Sequence, residues 1–193
     1  MRRRTINKIL FITLLLFIIV WTAKIIRVNI NDKYKTQISE MNESLLFHGL
    51  EISITEANLL DVEEYAALMN NSRLDLYYAG ELGEKIIYVR INVKNSSGKE
   101  MSWDEVFSNM GIGFESDKWC SVTLPLYTSA LNHVYEQSFM PGKERTFWMG
   151  TGLDPVSFGE KAWNIADTFQ YYYVLDVWPD SRKVKLRFNN RDI

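Results

Sequence analysis

The chain has 193 residues, room for one ordinary domain; 47% hydrophobic and 24% charged residues exclude wholesale disorder and a fibrous repeat, and 13% aromatics predict a bulky packed core. The net charge of -2 is unevenly spread: residues 1–40 hold eight basic and two acidic groups, which leaves 14 basic and 22 acidic groups, a formal charge of -8, for residues 41–193. An acidic domain without a basic stripe is repelled by phosphate backbones, so nucleic acid is excluded as a partner.

Residues 1–8 form a basic tip with Arg2, Arg3, Arg4 and Lys8, and residues 9–26 are mostly apolar and carry no charge except Lys24. Eighteen helical residues span about 27 Å, just under a hydrocarbon thickness of about 30 Å. Lys8, Lys24 and Arg27 can carry their charges to the interface, and Trp21 suits an aromatic belt. A transmembrane helix in contact with the lipid bilayer is therefore expected over residues 9–26. The same pattern fits the first two regions of a cleaved signal peptide, although residues 20–26 place Trp, Lys and Ile where a cleavage site needs small side chains. The basic tip is expected in the cytoplasm and the acidic part outside, giving a single-pass plasma-membrane protein. The inverse arrangement, exporting only the tip, is the alternative.

Residues 27–46 read as a polar stalk, and residues 47–193 as the extracytoplasmic domain. Leu50, Ile52 and Ile54 alternate with Glu51, Ser53 and Thr55, the period of a half-buried strand. Asp61 before Val62, Glu63 and Glu64 suits a helix N-cap with a returning carboxylate, which predicts a short helix between strands. Residues 85–95 are the strongest strand, with Ile87, Val89, Ile91 and Val93 on one face, and belong near a sheet centre. Further strands are expected at residues 111–115, 121–124, 133–139, 145–150 and 170–178, the last returning through Pro179 into residues 183–188 as a hairpin. Seven or eight short strands predict a mainly β fold, an immunoglobulin-like antiparallel β-sandwich.

Residues 89–100 (VRINVKNSSGKE) and 139–149 (FMPGKERTFWM), together with the N-terminal anchor, resemble uncharacterised bacterial membrane-anchored envelope proteins with an immunoglobulin-like domain of unknown function. The resemblance implies a long strand ending in an Asn-Ser turn, a later Pro-Gly turn before a strand, an envelope location and no reaction. Cys120 is the only cysteine, so no intrachain disulfide can form, which also suits a bacterial envelope protein. After Trp119 in an apolar stretch, Cys120 is expected as a small buried hydrophobe.

The chemical inventory is thin. His48 and His133 lack metal-ligand spacing, and one cysteine builds no zinc site, so neither metal nor cofactor is expected. Gly111 and Gly113, like Gly150 and Gly152, complete no phosphate-binding motif and read as turns or bulges. Asn42, Asn70 and Asn95 match the N-x-S/T pattern, which matters only in a glycosylating host. The one binding candidate is Tyr171, Tyr172, Tyr173 and Trp178, for a protein or cell-wall partner. In a strand, Tyr171 and Tyr173 share one face while Tyr172 and Trp178 share the other, so one set enters the core. The outer set is either exposed for a partner or covered by residues 163–169. The expected function is a non-enzymatic binding or accessory module of the cell envelope. The alternatives are an envelope hydrolase with a scattered site and a bitopic subunit of a membrane complex.

Overall fold

The computed structural model describes residues 2–31, 36–68, 85–123, 132, 137–177 and 180–189. Two compact units divide the chain, Met1–Lys35 and Thr36–Ile193.

The first unit contains helix α1, Arg2–Asn31. Its sequence holds neither Gly nor Pro, so nothing breaks the helix internally. Phe17 and Trp21, one turn apart, stack at 6.0 Å, and the Thr22 hydroxyl donates to the Ile18 carbonyl at 2.8 Å. The described side chains, Phe11 and residues 13–26, are all exposed. Among the described residues no helix is long and apolar enough to cross a membrane.

The second unit is mainly β, built from two sheets. One has four strands in the order β2 (Leu45–Phe47), β3 (Leu50–Asp61), β4 (Lys85–Asn95) and β7 (Glu144–Leu153). The other has five, in the order β1 (Gln37–Glu40), β9 (Arg182–Lys185), β8 (Tyr171–Asp176), β5 (Gly113–Ser116) and β6 (Trp119–Val122). As the β-branched pattern predicts, β4 lies inside its sheet, between β3 and β7. Ile87, Val89, Ile91 and Val93 are at 0% exposure in the shared core with Phe114, Tyr173 and Val184 of the other sheet. Burying each such side chain contributes about 1.5–3 kcal/mol before entropy is counted.

β3 turns its faces over midway. The pairing with β4 shifts between Ile54 and Glu56, leaving Thr55 as an extra residue. Leu50, Ile52 and Ile54 point into the core before this bulge, and Ala57 and Leu59 after it. The opposite face of the same sheet then carries Ile86 and Tyr88 against helix α2 (Val62–Leu68), whose Val62 and Tyr65 complete a second small core. The expected capping carboxylate is present, with the Asp61 N–H donating to Glu64 Oε2 at 3.2 Å.

Several expectations change. The stretch expected to be a stalk over residues 27–46 contributes the end of α1, then β1 and β2. β1 pairs in parallel with β9, so the five-stranded sheet is mixed where an antiparallel one was expected. β2, β3 and β4 are also consecutive within one sheet, whereas an immunoglobulin-type chain changes sheets after its second strand. In the strand expected at residues 133–139, residues 133–136 lie outside the described set, and Phe139 makes only an isolated bridge to Met101. Two helical segments are new. α3 (Trp103–Asn109) is capped by Ser102, whose Oγ accepts from the Glu105 N–H at 3.2 Å. α4 (Pro155–Phe158) is capped by Asp154 and runs into α5 (Glu160–Trp163).

Candidate functional site

The tyrosine run divides by strand parity. Tyr171 and Tyr173 of β8 are at 0% exposure. Their hydroxyls donate to the carbonyls of Ala166 at 3.0 Å and Met110 at 3.2 Å, which satisfies a polar group that burial would otherwise penalise. Removal from water pushes the Tyr173 phenol well above the usual tyrosine range. These two side chains fill the core. Residues 163–169 pack on this inner set. Trp163 and Phe169 meet Phe158 at 5.7 and 6.1 Å, and Phe158 stacks on Trp119 at 5.4 Å.

Tyr172 lies on the outer face, half-buried, with Glu115 and Lys185 as its register neighbours. Lys183 forms an ion pair with Glu115 on the same face. Cys120, register partner of Glu115, is exposed there. This corrects the buried position expected for it: Trp119 takes the inward slot of β6, so the next residue must point out. Trp178 lies outside the described residues.

The two stretches that carried the resemblance meet at one residue. Asn95, at 1% exposure, ends β4 and uses its whole carboxamide. Its Nδ2 donates to the carbonyls of Lys99 at 2.8 Å and Phe139 at 2.7 Å. Its Oδ1 accepts from the Ser97 N–H at 3.0 Å and the Ser97 hydroxyl at 2.7 Å. Its backbone N–H donates to Lys143 O at 2.9 Å, and its carbonyl accepts from Gly142 at 2.8 Å. Met140, Pro141, Gly142 and Lys143 close a turn in which Lys143 N–H reaches Met140 O at 3.2 Å. Gly142 sits at φ 74°, where a side chain would be strained behind the proline. A buried Asn95 cannot serve as a glycosylation acceptor without dismantling this junction.

Beside this junction lies an open groove of about 530 Å3. Trp103 forms its aromatic wall, stacked on Phe139 at 5.2 Å and edge-on to Phe147 at 6.0 Å. The Arg145 guanidinium lies over the same indole at 5.6 Å. Lys143, Met140, Gln137 and Ser138 line the remainder, with Glu144. Glu144 is the register partner of Lys94 and so belongs to the other face of β7 from Arg145. Sequence reading missed this site. Its signals were Ser102 and Glu105 in S-x-x-E spacing, which place Trp103 at a helix start, and the Pro-Gly turn leading into Arg145.

The glycines do structural work. Gly111, at φ 129°, lies so close to Tyr173 that a Cβ would come within 2.5 Å of the ring. Gly150 and Gly152 are register partners of Tyr88 and Ile86, on the face that carries Tyr65. His48 is exposed in the two-residue loop joining β2 to β3, its ring against Phe47 at 4.1 Å, and His133 lies outside the described residues. Among the described residues no group of three or more His, Cys, Asp or Glu side chains could hold a metal ion.

No protein-family model and no curated protein matches the chain. Among solved structures, a conserved hypothetical protein from Bacillus anthracis superposes with a TM-score of 0.47 at 10% identity, covering 77% of this chain and 95% of that one. An uncharacterized beta-sandwich protein from Clostridium difficile 630 does so with a TM-score of 0.40 at 11% identity, covering 80% and 97%.

Proposed function

We propose that the chain is a membrane-anchored, non-enzymatic binding or accessory module of a bacterial cell envelope, with its β domain displayed outside the plasma membrane. The observation that carries this reading is the exposure of every described side chain in α1. Leu14, Leu15, Leu16, Phe17, Ile18, Ile19 and Val20 follow one another, each at least 48% exposed. Water does not tolerate such a surface on a monomeric soluble protein, whereas a helix, with its backbone satisfied internally, suits lipid. The span is assigned to residues 9–26, three of whose side chains (9, 10 and 12) lie outside the described set. The basic tip assigns the N-terminus to the cytoplasm. Kinship with uncharacterised envelope proteins of two-sheet β architecture is supported by the two sheets and by the Asn95 junction between the two matching stretches, while the strand order departs from the immunoglobulin type.

Alkaline carbonate extraction of cells expressing the full chain tests the anchor. Retention in the membrane pellet is the expected result, and release into the supernatant would contradict it. Chemical cross-linking on intact cells tests the binding role, and repeated failure to recover a specific adduct would count against it.

A further inference from the structure

We propose that the β domain rests with one end on the bilayer surface, where six exposed apolar side chains sink among the lipid headgroups; this rests on the membrane-anchored reading given above. The end is the one at which the chain enters the domain. Residues 27–36 separate the assigned span from Gln37, the first residue of β1, and reach at most about 36 Å when fully extended. The covalent chain thus ties this end to the lipid. Register identifies its neighbours: Gln37 pairs with Arg182 of β9, while β8 ends, β5 begins and β6 ends at the same level, with Val174 paired to Lys183 and Gly113, and Gly113 to Val122. The other sheet ends there too. The Arg182 guanidinium donates to the Leu46 carbonyl at 3.4 Å and lies over the Phe47 ring at 5.5 Å. The Ser96 N–H donates to the Gly49 carbonyl at 2.9 Å and the Gly142 N–H to the Asn95 carbonyl at 2.8 Å, which brings the turn before β7 to this end.

Eight large apolar side chains are exposed in the described part of the domain, and they are unevenly placed. Ile38, Leu46, Ile112, Val122, Met140 and Val177 all lie at this end. Val156 and Ile165 lie at the other, past the end of β7 and before the start of β8. Apart from Met140 on its turn, the six sit within about two residues of a strand terminus, or about 7 Å. Interfacial apolar groups sink about 5–10 Å into a bilayer, which matches. The outer face of the five-stranded sheet also changes character with distance from this end. Its first row is Ile38, Lys183, Val174, Gly113 and Val122, and the cation in it is paired with Glu115 of the next row. That next row, Glu40, Lys185, Tyr172, Glu115 and Cys120, is polar and stays on the water side. Lipid fits this end better than a protein partner, a second copy included. By strand alternation Leu46 faces out of the four-stranded sheet, whereas Ile38 and Val122 face out of the other. A protein surface covers one such face, but a headgroup layer closes round all sides of an inserted tip. The formal charge of -8 on residues 41–193 leaves apolar contact, not attraction to anionic lipid, as the driving force.

The test uses the full chain carrying Cys120→Ser, reconstituted in phosphatidylcholine vesicles, with one new cysteine at Val122→Cys or, at the far end, Val156→Cys. Each cysteine carries an environment-sensitive fluorophore, and brominated phosphatidylcholine is the quencher. Quenching at position 122 is expected to exceed that at 156 by about threefold or more and to persist in about 0.5 M salt. Leu46→Asp combined with Met140→Asp, both at exposed positions, is expected to lower the signal at 122 to that at 156 without altering the far-ultraviolet spectrum. Equal quenching at the two positions, no response to the paired aspartates, loss of quenching in salt, or protection of position 122 that follows protein density instead of lipid would each overturn the proposal. A chain that floats with the vesicles but shows equal quenching keeps its anchor and loses the docked end. A chain that does not float with them loses both.

Discussion

The buried Asn95 side chain makes four hydrogen bonds, and its loss leaves two carbonyls and the Ser97 groups without that partner. Asn95→Ala is expected to cost about 2–4 kcal/mol in urea unfolding. A cost below about 0.5 kcal/mol would show that the junction is solvated and unimportant. Tyr173→Phe keeps the ring and removes only the bond to Met110, so about 1 kcal/mol is expected, measured in the same way. Alkaline pH should also act through the buried phenols. Burial, and to a smaller extent the Glu56 carboxylate, push Tyr88 up to about 12, and burial raises Tyr173 as well. Both are neutral below the usual tyrosine range, folded or unfolded, so their packing is fully available there. As pH rises past about 10 the unfolded chain ionises first, and stability falls until the folded phenols titrate too. Absorbance at 295 nm should therefore show a late tyrosine fraction that appears together with unfolding. The parity of the tyrosine run was legible in the sequence because alternation fixes which residues share a face. Which face was inner was not, since that depends on partners far along the chain. The position of Cys120 was misjudged for the same reason: apolar neighbours do not say which way a single residue points.

At the scale of elements, β7 is outermost in its sheet among the described strands and is bonded there by a side chain. The Asn132 side chain stands in for a neighbouring strand, accepting from the Trp148 N–H at 2.8 Å and donating to its carbonyl at 2.5 Å. Asn132→Ala removes both bonds and leaves the Trp148 backbone groups of β7 without that partner. A loss of about 1–2 kcal/mol is expected, with concentration-dependent association by size-exclusion chromatography. A variant that is equally stable and stays at the wild-type size would refute the edge role. β4 was readable because its β-branched residues alternate over its whole length. β3 was readable only to Thr55, because the bulge there reverses which residues face inward and breaks the period that marks a strand. β1 was missed for lack of apolar content, since parallel pairing of Gln37–Glu40 with Arg182–Lys185 is set by a contact across the domain, and β2 because three apolar residues are too few to show a period. α3 and α4 carried capping signals, Ser102 with Glu105 and Asp154 with Pro155, but each is a turn or two long and shows no helical period.

For the whole molecule, composition and strand signals gave the mainly β class with two sheets, and the order of strands came only from the structure. The same limit applied to the candidate site. Residues 89–100 and 139–149 stood out as matching punctuation, yet only the fold shows them joined at Asn95 beside the Trp103 groove. The proposed function requires the β domain to lie outside the membrane. Cys120 gives a native probe for this, being the sole cysteine and exposed on the outer face of the five-stranded sheet. Intact cells expressing the full chain are treated with a membrane-impermeant maleimide, and the labelled protein is followed through fractionation. Labelling without permeabilisation, on protein that sediments with the membrane, is the result this account requires. Labelling only after the cells are opened, or recovery of the chain in the soluble cytosolic fraction, would contradict it.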